Sequence, residues 1–270
     1  MSGGVSLIGG GWDAPEVYGP LLRAAGGGRI GCVLVDEGDG EEQFARYAGA
    51  LRRAGECEPV ALPVPVGGRF EADVLVKDGW HGILVCGGLT PAYQDVFAGC
   101  LERLPEVLAE RGIPYAGFSA GAALAARRAV LGGWLADGVP VCPPDTAEDL
   151  EEVEVRPGLG LVPFAVDVHA AQWGTLGRLV AAVSRGSVPY GVALDENTVL
   201  EVDGGEGRVG GRGQVHLVRP THDVRPATEP PDDGHDGHDG RGSHDGRAAG
   251  AVVRSYAPGG SVPLGQPPLP

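Results

Sequence analysis

Apolar residues fall in short continuous runs separated by longer stretches of helical spacing. Val5 to Ile8, Ile30 to Val35, Val60 to Leu62 and Ile83 to Cys86 are unbroken enough to predict strands buried on both faces. Between them, Glu41 to Ala54 sets Phe44, Tyr47, Ala48 and Leu51 on one helical face. Ala92 to Glu110 places Val96, Phe97, Cys100, Leu101, Leu104 and Leu108 on one stripe, and Gly112 supplies its stop. Strands alternating with helices predict an α/β fold, a mostly parallel doubly wound sheet with helices on both faces. Ligands of such sheets bind beyond the carboxyl ends of the strands, so chemistry is sought just after each strand.

The pattern fades near residue 220. Of the last 50 residues 9 are Gly and 8 are Pro, and Tyr256 is the only aromatic. Too little apolar surface remains to offset the entropy of ordering, which predicts a folded domain over 1–220 and a disordered Gly/Pro/His/Asp-rich tail over 221–270. Inside the tail, Asp233-Gly234-His235-Asp236-Gly237-His238-Asp239-Gly240 repeats a unit that recurs at His244-Asp245-Gly246. It reads as a solvated low-complexity segment rather than a metal site.

Bulk properties narrow the function. A chain of 270 residues with 43% hydrophobic content can build a substantial core. A net charge of -15 disfavours nucleic acid and anionic membrane surfaces, since both call for clustered Lys and Arg. The five cysteines are odd in number and form no CxxC pair, so they read as reduced thiols, mostly core filler. The N-terminus carries no basic segment followed by an apolar run, and nowhere do 18 apolar residues follow one another. A soluble cytoplasmic protein is expected.

The most informative segment runs from Ile113 to Leu124: an apolar strand, then Gly117-Phe118-Ser119-Ala120-Gly121, then a small-residue helix. Gly-x-Ser-x-Gly in a strand-turn-helix context is a nucleophile elbow. Small residues flank the serine because neighbouring backbones approach closely there, and amides at the helix start face a developing oxyanion. A serine needs a base. Outside the tail the candidates are His81, His169 and His216. His81 precedes its strand and His216 lies within one, whereas His169 follows the apolar stretch Leu159 to Val168, at a strand end where Ser119 should be. Gly87-Gly88, directly after the strand ending at Cys86, lets a backbone amide turn inward. Gly88 and Ala120 are therefore the expected oxyanion donors.

These segments resemble the serine peptidases that include cyanophycinase and aspartyl dipeptidase (peptidase family S51), relatives of the class I glutamine amidotransferases. The resemblance spans roughly residues 4–218. Four segments carry it: Leu7-Ile8-Gly9-Gly10-Gly11; Gly87-Gly88-Leu89-Thr90; Gly117 to Ala122; and Asp167-Val168-His169 with Gly174, Gly177, Arg178 and Leu179. Gly158-Leu159-Gly160-Leu161 and Leu194-Asp195-Glu196-Asn197-Thr198 follow the same pattern. The resemblance implies a flavodoxin-like three-layer sandwich, with Ser119 as nucleophile, His169 as base, and Gly88 with Ala120 as oxyanion hole. Family carboxylates lie between nucleophile and base, where Asp137, Asp145, Glu148 and Asp149 qualify. Asp137 is the one chosen, since the others sit in an acidic surface-like run.

The pattern departs from the family in two places. Leu89-Thr90 replaces the usual polar pair after the double glycine, and Trp173 and Thr175 stand where arginines are typical. Cyanophycin is accordingly not the expected substrate. Cys is absent from the elbow, which argues against glutamine amidotransfer, and the 50-residue spacing from Ser119 to His169 is short for an ordinary α/β-hydrolase. The expected activity is a serine-type exopeptidase or dipeptidase hydrolysing a small peptide or isopeptide, without metal or organic cofactor. Thr90, Gln94, Gln172, Trp173 and Arg178 are nominated around the substrate, and a homodimer is compatible with this reading. The alternative is a catalytically inactive small-molecule or peptide-binding protein of the same fold.

Overall fold

The computed structural model describes residues 4–77, 79–221 and 250–265. Its main sheet starts with β1 (Val5–Ile8), β2 (Arg29–Asp36), β3 (Glu58–Pro65), β4 (Gly82–Val85) and β5 (Tyr115–Phe118). All five are parallel, in spatial order β1-β5-β4-β2-β3. The connecting helices are α1 (Gly19–Ala25), α2 (Gly40–Ala54), α3 (Val74–Lys77), α4 (Thr90–Phe97), α5 (Arg103–Arg111) and α6 (Ala120–Leu124). The six central residues of β2 are buried, as its unbroken apolar run requires of a strand covered on both faces. In α2, Tyr47, Ala48 and Leu51 are buried. Glu41 and Glu42 sit in its first turn and Arg52 and Arg53 in its last, complementing the helix dipole. The expected three-layer α/β fold is present.

The stripe over Ala92 to Glu110 is divided between α4 and α5 rather than forming one helix. Pro105 is the reason: its ring would clash with the carbonyl of Leu101, so a continuous helix cannot pass. The chain turns after Phe97 and restarts at Arg103, then ends at Gly112 in the left-handed conformation with φ 65°.

Beyond α6 come two small antiparallel pairs, β6 (Arg128–Gly132) with β9 (Glu154–Pro157) and β7 (Leu135–Ala136) with β8 (Val139–Pro140). A second sheet follows, built from β10 (Ala165–Asp167), β11 (Gly191–Leu194) and β14 (Val215–Pro220), against which α7 (Leu176–Ser184) packs. Strands β12 (Thr198–Asp203) and β13 (Glu206–Gly211) extend the main sheet antiparallel from β1.

The expectation of a tail from 221 needs correction over 250–265. Ala251–Tyr256 forms β15, the outer strand of the second sheet, and Ser261–Pro263 forms β16, which pairs with β13. Val262 and Leu264 are buried there despite the sparse composition around them. The Asp/Gly/His repeat lies outside the described residues. No helix among the described residues is long and apolar enough to cross a membrane.

Candidate active site

Strands β1, β5 and β4 lie side by side and parallel, with Ile8 opposite Phe118 and Val85 opposite Gly117. Their carboxyl ends therefore deliver Gly9 to Gly11, Ser119 and Gly87-Gly88 to one place. Ser119 sits at φ 51°, ψ -112°, a left-handed backbone that a non-glycine residue rarely adopts. The turn is held from both sides: the Ser119 amide donates to the Ile8 carbonyl at 2.9 Å, and the Gly121 amide to Cys86 at 3.2 Å. A Cβ on Gly117 would fall 2.3 Å from the Gly121 carbonyl oxygen, and one on Gly121 would fall 2.2 Å from that of Val85. Only glycine fits either position. A plain helix cap needs no such strain, whereas a nucleophile turn is built on it.

His169 follows β10 and also takes positive φ, 57°. Its amide donates to Gly9 at 3.1 Å, and the Ala170 amide to Leu194 at 3.0 Å, tying the second sheet to the end of β1. The imidazole Nε2 is 2.8 Å from Ser119 Oγ. Its Nδ1 is 2.8 Å from a carboxylate oxygen of Glu196. Trp173 stacks on one ring face, with centroids 3.8 Å apart and planes 9° from parallel. Gly10 closes around the ring edge, where a Cβ would come within 2.1 Å of Cε1. The imidazole is thus fixed at both nitrogens and across its face. Burial pushes the His169 pKa below its ordinary value, although the Glu196 carboxylate pulls it up.

Glu196 is the carboxylate that the sequence did not assign. Strand β11 runs parallel to β10 with Asp167 opposite Ala193, so the two chain ends leave together and bring Glu196 beside His169. Gln172 Oε1 accepts from the Glu196 amide at 2.8 Å and steadies that corner. Asp137, the expected third member, lies in the turn between β7 and β8. Its side chain is 90% exposed and ion-paired with Arg185, away from His169.

The nominated substrate residues divide. Trp173 lines the cleft, while Thr90 and Gln94 are buried behind it. The Thr90 amide donates to Glu148 at 2.8 Å, and Gln94 donates to the Pro157 carbonyl at 3.2 Å. Arg178 is 4% exposed and committed elsewhere. It grips Asp167 through two bonds of 2.8 and 2.9 Å and donates to the Thr146 carbonyl at 2.8 Å. It props the 144–149 segment rather than meeting a ligand. Gly88 lines the cleft and Gly87 backs onto Ser119, where an added Cβ would stand 2.9 Å from the serine Cβ. Ala120 opens α6, so its amide has no partner within the helix. Helix α6 has five residues, which leaves individual amides rather than a macrodipole to favour negative charge.

Ser119 and His169 open into a cleft of about 960 Å³, walled by Trp12, Arg46 and Tyr47 on one part and by Pro144 to Asp149 on another. Glu148 and Asp149 in that wall hold positive φ, 57° and 61°. Burial raises the Glu148 carboxyl above its usual range, against the pull of the Thr90 amide.

No family model matches the chain, and no curated protein matches it. Among solved structures it is similar to a peptidase from an acI-B1 Actinobacterium, with TM-score 0.61 and 17% identity over 97% of each chain. It is also similar to a protein described as a peptidase E from Listeria monocytogenes EGD-e, with TM-score 0.50 and 16% identity over 77% of this chain and 98% of the other. Identity at this level carries the fold alone. The chain shares its fold with these peptidases.

Proposed function

We propose that the protein is a serine-type peptidase of the cyanophycinase and aspartyl-dipeptidase kind, acting on a short peptide or isopeptide. One observation carries the reading: Ser119 Oγ, His169 and Glu196 form a continuous hydrogen-bonded chain at the floor of an open cleft. In the proposed reaction, Ser119 Oγ bonds to the substrate carbonyl carbon while its proton passes to His169 Nε2. The negative oxygen is met by the Gly88 and Ala120 amides. The carbon–nitrogen bond then breaks, and the leaving amine takes the proton from His169. Water attacks the resulting ester and gives a proton to His169; the ester C–O bond then breaks, His169 returns that proton to Ser119 Oγ, and the acid departs. Glu196, in place of Asp137, holds the imidazole with Nδ1 protonated and stabilises the imidazolium.

A fluorophosphonate probe tests this directly. Ser119 of the wild type is expected to be labelled, as mapped by mass spectrometry, with labelling lost in Ser119→Ala and His169→Ala. No labelling of folded wild type would instead favour a binding protein on the same fold.

A further inference from the structure

Two glycines in succession leave the peptide between them free to face either way, because neither carries a Cβ that resists a change in the sign of φ. The Gly87-Gly88 turn therefore does not by itself decide where the Gly88 amide points. Its neighbours do. The Gly87 amide donates to Tyr47 Oη at 2.8 Å, and the Cys86 carbonyl accepts from the Gly121 amide at 3.2 Å, which fixes the peptide before Gly87. The peptide after it is held by Tyr93, a residue of α4 that is 1% exposed: Tyr93 Oη donates to the Gly87 carbonyl at 3.0 Å. The same oxygen accepts from the amide of Val35 in β2 at 3.3 Å, so the phenol is anchored to the sheet and its single proton is left for Gly87. Burial pushes the Tyr93 phenol pKa above its ordinary value, which keeps that proton in place at neutral pH. The ring lies against the turn itself, since a Cβ on Gly88 would come within 2.9 Å of Tyr93 Cε2.

We propose that Tyr93 is a positioning residue for the oxyanion hole: by holding the Gly87 carbonyl it turns the Gly88 N–H into the cleft. The peptide is trans and planar, so its carbonyl and N–H point in opposite directions. A carbonyl drawn toward a buried phenol sends the following amide away from it, toward the cleft that Gly88 lines. Among the described residues that amide has no backbone acceptor, as befits a donor kept for a substrate oxygen. The inference rests on reading Ser119 as a nucleophile and Gly88 as an oxyanion donor. Tyr93 touches no reacting atom; its effect passes through one peptide plane. Without its hydroxyl the plane is free to turn over, and the oxyanion then meets a carbonyl oxygen instead of an N–H.

Tyr93→Phe in the full-length protein removes one oxygen and keeps the ring. Labelling of Ser119 is followed against fluorophosphonate concentration, well below the melting temperature of each protein. The limiting rate is expected to fall at least about tenfold, toward the roughly 10²–10³ that follows loss of one oxyanion donor, while the concentration for half-maximal rate stays within about twofold. The pH at which labelling sets in should not move, because His169 and Glu196 are untouched; a general loosening of the site would weaken reagent binding and shift that pH as well. Crystals of the variant should show the Gly87-Gly88 peptide turned away from position 93. Equal limiting rates, or an unturned peptide, would overturn the assignment. If the variant does not fold, crystals of phosphonylated wild type decide: the phosphonyl oxygen is expected within hydrogen-bond reach of the Gly88 amide with the Gly87 carbonyl still on Tyr93 Oη, and any other arrangement rejects the proposal. A wild type that resists the reagent rejects the peptidase reading instead, and the peptide orientation in Tyr93→Phe then settles the role of Tyr93 by itself.

Discussion

At the scale of single residues, the site is governed by which groups reach His169. Glu196 escaped the sequence reading because a carboxylate was sought between Ser119 and His169 in chain order. The signal was present in Leu194-Asp195-Glu196, directly after an apolar strand, and needed only the knowledge that β11 pairs in parallel with β10. Ser119, His169 and Gly88 were legible because each sits within three residues of a strand end, where the backbone leaves the sheet. If Glu196 orients the base, Glu196→Gln should lower the plateau of kcat/KM by up to about 10⁴-fold, the scale seen when such a carboxylate is neutralised. The pH profile gives a second readout. In the proposed mechanism His169 acts as a neutral base, so activity should be present above its pKa and be lost as pH falls through it. Burial already sets that acid limb below the ordinary value, and Glu196 is the group pulling it back up. Removing that charge should move the limb to still lower pH. A plateau within a few-fold of wild type with an unmoved limb would show Glu196 to be dispensable.

At the scale of elements, the parallel half of the main sheet was readable because strands covered on both faces must be unbroken apolar runs. The division of α4 from α5 was missed because hydrophobic spacing continues across it, while the barrier is Pro105, a backbone effect that periodicity does not register. Of the second sheet only the apolar stretch ending at Val168 and the run holding His216 were legible, since its pairings join segments distant in sequence. Its link to the cleft is the Asp167–Arg178 pair, which connects β10 to α7 and, through the Thr146 carbonyl, to the wall carrying Glu148. Both side chains are under 5% exposed. Cutting either partner strands a buried charge, so Arg178→Ala and Asp167→Ala should each cost about 3–5 kcal/mol. A joint Asp167→Leu, Arg178→Met replacement should cost much less, because an apolar pair of similar volume needs no compensating charge. Urea melts of the three variants decide the matter. A single variant as stable as wild type would mean that the pair does not brace this junction.

At the scale of the whole molecule, the last 50 residues show where composition misleads. Averaged over that length, Gly and Pro outweigh the few apolar residues, yet Val262 and Leu264 are fully covered and the Leu264 carbonyl accepts from Tyr190 at 2.8 Å. Arg219 reaches back to the carbonyls of Pro263 and Gly265, at 2.8 and 2.7 Å. The chain thus closes over both sheets with its final described residues. Thr221 and Gly250 are joined by a backbone hydrogen bond of 2.9 Å, so the chain returns to where it left. Two truncations should therefore behave oppositely. Ending the chain at Thr221 removes two buried side chains worth about 3–6 kcal/mol together. At about 2–4 °C per kcal/mol, the melting temperature should fall by at least about 6 °C. Joining Thr221 to Gly250 through a short glycine turn removes 222–249 but keeps β15 and β16, and loop length alone changes stability by only about 0.6 kcal/mol per doubling. That variant should melt close to wild type and keep its reactive serine. If the two variants melt alike, the strands after Gly250 contribute no stability to the domain and the closure seen here is incidental.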